Sequence, residues 1–221
     1  MIGIVTNILN KSMIKIDNIW QSKLWEYNAL NNRSFDTIDI LYENCSVCPS
    51  KENIFQAFNE CKFNNLKAVL CFQDPYHNGQ ATGIATAVEH GNIPPTLKNM
   101  FIEIDHIYKK HHTEPNLLFW EHQGVLMLNT ALTVEYRKPT SHIKMWSKFT
   151  ENLIKGLSND KNITWVLFGT HAKVLRPFIS KGHVFNAVHP AAEEYSGGTS
   201  GFFNSQIFKT INNSLTSKIT W

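Results

Sequence analysis

From Lys51 onward the hydrophobic and polar positions of the chain alternate between two rhythms. Four short strand-like runs, Lys67–Phe72, Gly124–Asn129, Ile163–Phe168 and His183–Val188, punctuate the sequence. Between them, Leu97–Tyr108, Ile143–Leu157 and His171–Ile179 carry apolar residues three and four apart, as at Phe149, Leu153 and Leu157, which is a helical period. A last helix is predicted over Phe202–Leu215, after the Gly/Ser-rich stretch Ser196–Gly201. Residues 1–50 are polar, rich in Asn and Ile, and poorly periodic; they predict two short helices, around Asn18–Leu30 and Asp36–Tyr42. Strands alternating with helices imply parallel βαβ units with right-handed crossovers. The expected fold is α/β: a three-layer αβα sandwich around a central four-stranded parallel sheet. No repeat or linker divides the chain, so residues 1–221 read as one domain with a divergent N-terminal segment.

Parallel strands place all their C-terminal ends on one edge, where open α/β sheets bind ligands. The residues just past each strand therefore carry the most information about chemistry. After the first comes Gln73-Asp-Pro-Tyr-His77, after the second Asn129 and Thr130, after the third Gly169 and Thr170, and after the fourth His189 and Pro190. Proline removes a ladder donor and drives the preceding residue into an extended conformation, so Asp74 sits on a stiff turn at a strand end. Taken singly, such residues are ordinary: Asp before Pro is a turn or cap, Asn a turn former, Tyr76 a core aromatic, His189 a hydrogen-bonded structural residue. Convergence of a carboxylate, an amide, a hydroxyl and an imidazole on one edge is a stronger signal than any of them alone.

Composition changes little in this picture. The 221 residues suit one α/β domain, and 43% hydrophobic content marks a globular chain. No apolar run approaches the ~20 residues of a membrane helix. The stretch Met1–Lys11 lacks a basic region before its apolar residues, so no secretory signal is expected and the location reads as cytoplasmic, or host cytoplasm or nucleus for a viral protein. A net charge of +3 is compatible with a nucleic-acid partner without arguing for one. Cys45-Ser-Val-Cys48 has metal-ligand or redox spacing, but no second such pair follows and Cys71 lies in a buried strand, so all four cysteines read as reduced structural thiols. The remaining histidines, including His106 and His111-His112, lack metal-ligand spacing and read as surface or core residues.

Seven motifs in order then carry a resemblance. They are Gln73-Asp-Pro-Tyr-His77, Gly79-Gln-Ala-Thr-Gly83, Ile93-Pro-Pro-Thr-Leu-Lys-Asn99, the run from Gln123 to Val134, Leu167-Phe-Gly-Thr-His-Ala172, His189-Pro190 and Gly201-Phe-Phe203. From about residue 52 to Trp221 the chain resembles the family-1 uracil-DNA glycosylases, and residues 1–50 carry no visible part of the resemblance. It implies hydrolysis of the N-glycosidic bond of uracil flipped out of DNA, without metal or cofactor, by a monomer with no membrane partner. By the same resemblance Asp74 positions the attacking water and stabilises the oxocarbenium-like sugar, while His189 donates to uracil O2 as the base leaves. Asn129 accepts from N3–H and donates to O4, a pattern that cytosine reverses. Tyr76 stands against C5 to exclude thymine, and the Gln73 backbone helps hold the base carbonyls. His77, Pro94, Pro95, Thr96, Gly169 and Thr170 fall in the DNA-facing segments, where Thr96 is expected to cap a helix beside a phosphate.

The departures cluster. Phe72 replaces a glycine, and Thr86 stands where the family stacks a phenylalanine on uracil; stacking of that kind is worth ~1–3 kcal/mol. Their joint change predicts that Phe72 supplies the missing packing face. After His189, Ala191-Ala-Glu-Glu194 and Tyr195–Ser200 replace the family's Ser-Pro-Leu-Ser. The phosphate-gripping serines and the wedge leucine are absent, two carboxylates are expected to repel phosphate, and Tyr195 is the replacement wedge. These changes predict a preference for single-stranded DNA over duplex, since a single strand needs no wedge. A uracil-mimicking protein inhibitor is a further candidate partner; such inhibitors engage the family's loop leucine, so the altered loop is also a means of evading one. Two other readings are a related enzyme for a different modified pyrimidine, and a glycosylase-derived DNA-binding or replication scaffold of the kind poxvirus relatives provide.

Overall fold

A computed structural model describes residues 14–30, 32–109 and 114–221. The stretch Met1–Lys11 and the pair His111 and His112 lie outside the described residues. The chain begins with α1 (Asn18–Glu26), α2 (Asn32–Asn44), β1 (Val47–Cys48) and α3 (Gln56–Glu60). It continues through β2 (Ala68–Phe72), α4 (Pro95–Tyr108), α5 (Leu118–His122), β3 (Val125–Asn129) and β4 (Val134–Glu135). The last third holds α6 (Ile143–Asp160), β5 (Thr164–Phe168), α7 (Gly169–Lys173), β6 (His183–Ala187), α8 (Ala192–Ser196) and α9 (Ile207–Ser214).

Strands β3, β2, β5 and β6 form one parallel sheet in that order, with Leu70 opposite both Met127 and Val166, and Val166 opposite Phe185. Every residue of β2, β3 and β5 is buried, which requires cover on both faces and explains why these strands read as continuous apolar runs. Helices flank the sheet and provide that cover. A separate antiparallel ribbon pairs β1 with β4, setting Cys48 against Val134. Cys45 is half-buried, Cys48, Cys61 and Cys71 are buried, and all four are free thiols.

The N-terminal segment is part of the core. Trp20 and Leu24 are fully buried, and the Trp20 indole meets Phe58 and Phe63 edge-on at 5.0 Å each while donating to the Cys61 carbonyl at 2.6 Å. Asp17 caps α1 by accepting from the Ile19 and Trp20 N–H groups.

Two expected elements differ. The helix foreseen over Phe202–Leu215 begins only at Ile207, because residues 202–206 are a turn with Asn204 and Gln206 at φ 63° and 57°. Buried Glu103 on α4 fixes that turn by accepting from the Asn204 and Gln206 N–H groups at 2.8 and 2.9 Å. The segment expected as His171–Ile179 is the five-residue α7 followed by a 3-10 turn at Arg176–Phe178, since Pro177 cannot continue an α-helix.

Candidate active site

The C-terminal edge of the sheet gathers the predicted residues through a set of backbone ties. β2 ends at Phe72, directly opposite Asn129 at the end of β3. Past that point, the Thr130 N–H donates to the Phe72 carbonyl at 3.0 Å, and the Ala131 N–H and Thr130 hydroxyl donate to the Gln73 carbonyl at 3.1 and 2.6 Å. Asp74 therefore leaves β2 on a turn clamped to the β3 exit. Its two carboxylate oxygens are each engaged: Oδ1 accepts from Gln73 Nε2 at 3.0 Å and Oδ2 from the Thr140 N–H at 2.6 Å. The carboxylate is thus held in one orientation by a neighbour and by the β4–α6 loop.

His189 comes just after β6. Gly169, at φ 78°, opens α7 beside it; a Cβ at position 169 would lie 3.1 Å from the His189 Cβ, so glycine allows this close approach. The Ala191 N–H donates to His189 Nδ1 at 3.3 Å. A backbone N–H can only donate, so Nδ1 is the acceptor and the ring proton resides on Nε2. Burial, reinforced by the charge of nearby His171, lowers the imidazole pKa to about 4. His189 is consequently a neutral Nε2–H donor across the physiological range. Asn99 on α4 secures this turn by donating to the Pro190 carbonyl at 2.9 Å; the sequence offers no local signal for that role.

Asn129 is buried, and its Oδ1 has no hydrogen-bond partner. A buried acceptor left open costs free energy unless something else satisfies it. His77 Nδ1 is similarly buried and unpartnered. Tyr76 is half-buried, and its hydroxyl donates to the Thr86 carbonyl at 3.2 Å, with the Thr96 hydroxyl and the Leu97 N–H also reaching the phenol oxygen.

Several expectations change here. Phe72 offers no free face: it is 2% exposed, its ring is stacked on Phe168 at 4.7 Å and 8°, and its edge meets His189 at 6.1 Å. It meets the imidazole edge-on, and Phe168, which lies within the Leu167–Ala172 motif without a role assigned to it there, completes the stack. Thr86 is buried at φ 64° with its hydroxyl 3.9 Å from the Met100 sulfur. Thr96 is not a cap. Pro94 holds the cap position of α4 without a side-chain bond, Pro95 is the first helical residue, and Thr96 lies inside the helix against Tyr76. Thr170 is exposed on α7, at the sheet edge as expected.

The loop beyond His189 also differs from expectation. Residues 192–196 form the short helix α8, ended by Gly197 at φ 63°. Glu193 does not face outward: it is 4% exposed and accepts from the N–H groups of Phe202 at 2.7 Å, Phe203 at 2.9 Å and Ser200 at 3.3 Å. Of the two carboxylates expected to repel phosphate, only Glu194 is exposed. Tyr195 stands at the tip, 91% exposed.

Among proteins of known identity, a uracil-DNA glycosylase of Francisella philomiragia is 38% identical over 181 residues, covering 78% of this chain and 82% of that protein. A uracil-DNA glycosylase of Mycoplasmopsis pulmonis is 38% identical over 217 residues, covering 94% of this chain and 92% of its own. That second match reaches into residues 1–50, whose later part contributes to the core. Among solved structures, mimivirus uracil-DNA glycosylase superposes with a TM-score of 0.83 at 21% identity, over 93% of this chain and 87% of that one. A Y322L variant of the mimivirus protein, solved in complex with UGI, superposes equally well at 0.83 and 21% identity, over 95% and 89%. At this identity the two superpositions speak to fold alone. No family model matches the chain.

Proposed function

The chain belongs to the uracil-DNA glycosylase family, and we propose that it excises uracil from DNA by hydrolysing the N-glycosidic bond of a base flipped out of the strand. The observation that carries this reading is the unpartnered Asn129 Oδ1 on the same sheet edge as a neutral imidazole donor. Uracil supplies what the amide lacks. Its N3–H donates to Oδ1, while Asn129 Nδ2 donates to O4; cytosine carries no hydrogen on N3 and a donor at position 4, so both contacts fail.

The remaining groups serve the bond-breaking step. As the C1′–N1 bond breaks, its electron pair leaves with the base, and negative charge gathering on uracil is met by His189 Nε2–H. The sugar becomes oxocarbenium-like, stabilised by the oriented Asp74 carboxylate. Water adds at C1′ and passes a proton to the Asp74 carboxylate, with Asp74 and His77 Nδ1 as the groups that orient it. Tyr76, held by its bonds to the Thr86 carbonyl and to α4, opposes bulk at C5. Without an aromatic at position 86, the flipped base forfeits a stacking contribution of ~1–3 kcal/mol.

Single-stranded DNA is the preferred substrate, because no loop leucine fills the gap left by a flipped base and Glu194 faces solvent on that loop. Tyr195 is the side chain available to enter a duplex. The test uses paired oligonucleotides with one uracil, as single strand and as duplex, with abasic sites then cleaved by alkali. The expected result is cleavage at uracil only, faster on the single strand and absent in Asp74→Asn. Wild-type protein that releases no uracil refutes the enzymatic reading; equal rates refute the strand preference. A uracil-mimicking inhibitor is proposed as a partner, in keeping with the UGI complex of the mimivirus protein; its addition to the same assay should suppress cleavage.

A further inference from the structure

We propose that Arg137, on the β4–α6 loop, is a phosphate-binding residue that grips the DNA strand beside the catalytic turn. This rests on the reading of the site as one that acts on a DNA strand. The residue combines three features. Its backbone is at φ 61°, in the left-handed region where a side-chain-bearing residue is disfavoured relative to glycine. Its guanidinium is exposed and lies over the Tyr136 ring, 5.2 Å from the centroid. Among the described residues it has no ion-pair partner, whereas the adjacent Lys138 is committed to Glu135 at 2.6 Å.

The loop is joined to the catalytic turn at both ends of that turn. The Arg137 N–H donates to the His77 carbonyl at 2.7 Å, and the Thr140 N–H donates to Asp74 Oδ2 at 2.6 Å. The Tyr136 ring also lies over the next turn, since a Cβ on Gly79 would sit 3.9 Å from its Cε2. A deoxyribose over Asp74 carries a phosphate on each side, within reach of a long side chain rooted on this loop. Arginine suits that contact: its planar fork matches phosphate oxygens, and stacking on an aromatic face limits the freedom it loses on binding. The contact reads no base and serves every sequence alike. It also supplies positive charge at a site whose other loop carries Glu194.

The left-handed backbone makes the test clean. Arg137→Gly removes the charge while suiting the φ, so the fold is retained or stabilised. Binding of a fluorescent single-stranded oligonucleotide is measured by anisotropy across a salt series, alongside kcat and KM for uracil release. The expected result is several-fold weaker binding and a log K against log salt slope shallower by about 0.7, the value of one phosphate contact on a single strand. The loss falls on KM rather than kcat, and Arg137→Lys recovers the slope. An unchanged slope and KM in Arg137→Gly overturn the inference, as does a loss confined to kcat. Because anisotropy does not require turnover, a shallower slope in a protein that releases no uracil would sustain the phosphate contact while refuting the proposed reaction.

Discussion

At His189 two independent observations fix one protonation state. The Ala191 N–H occupies Nδ1 as an acceptor, and burial together with the charge of His171 brings the imidazole down to about 4. The unfolded chain takes up this proton near pH 6.5, the folded protein only near 4. This residue therefore adds nothing to the pH dependence of stability above 6.5, and stability is lost as pH falls from there through 4. The imidazole resonances should titrate with a midpoint near 4 in the Nε2–H tautomer, and His189→Asn should flatten the loss of Tm between those two values. A midpoint at 6.5 would contradict both the burial and the tautomer. Asp74, Asn129 and His189 were legible from the sequence because strand ends and family register mark them. Phe72 and Thr86 were legible as departures, but their consequence was not. Which side of a strand-end aromatic is covered depends on Phe168, ninety-six positions away, and no local pattern reports that partner.

Among the elements, α8 and its tether show what periodicity misses. Ala191-Ala-Glu-Glu194 reads as a solvated loop because glutamate is seldom fully buried unless paired. Glu193 is buried here by accepting three N–H groups from residues 200–203, as Glu103 is by accepting two from residues 204 and 206. Both carboxylates satisfy backbone donors of turns, although the Phe202 N–H also reaches the Ser200 hydroxyl at 3.3 Å. Burial pushes the Glu193 carboxyl up, but the Ser200 hydroxyl and these N–H groups outweigh it and hold it below its usual range. Glu193→Gln keeps an acceptor but places an NH2 against one backbone donor; Glu193→Ala abandons all three. Tm should fall in the first variant and by several further degrees in the second, with proteolysis at the loop around Tyr195 rising in parallel. Equal Tm for wild type and Glu193→Ala would show that the carboxylate contributes nothing to the loop. The four sheet strands, by contrast, were legible to within one residue at each end. The continuous burial of β2, β3 and β5 leaves an apolar signature that a half-exposed turn does not, while in the edge strand β6 only Ala187 is buried.

Across the whole molecule, the chain's last residues close the core at the end of the sheet opposite Asp74, Asn129 and His189. Trp221 is 2% exposed, meets Trp120 at 5.4 Å and Phe208 at 5.0 Å, and donates to the Phe208 carbonyl at 3.2 Å. Asn212 exchanges hydrogen bonds with the Ile219 backbone at 2.9 and 2.8 Å, and Gln123 does so with Thr220 at 2.9 and 2.8 Å. Gln123 lies just before β3 (Val125–Asn129), so this anchorage is at the strands' N-terminal ends while Asp74, Asn129 and His189 occupy their C-terminal ends. On the proposed roles of those three residues, stability and chemistry are separated along the strand axis. Trp221→Ala should cost ~3–5 kcal/mol, as large aromatic truncations in cores do. For a domain of this size each kcal/mol lowers Tm by ~2–4 °C. Denaturant unfolding measures the loss, and uracil release normalised to the folded fraction measures what remains of function. The expected outcome is a large drop in unfolding free energy with turnover per folded molecule retained. A variant as stable as wild type would contradict the burial of Trp221. A variant that keeps its fold but loses turnover would mean that the two ends of the sheet are coupled, since a packing defect beside β3 would then have reached Asn129 along a single strand.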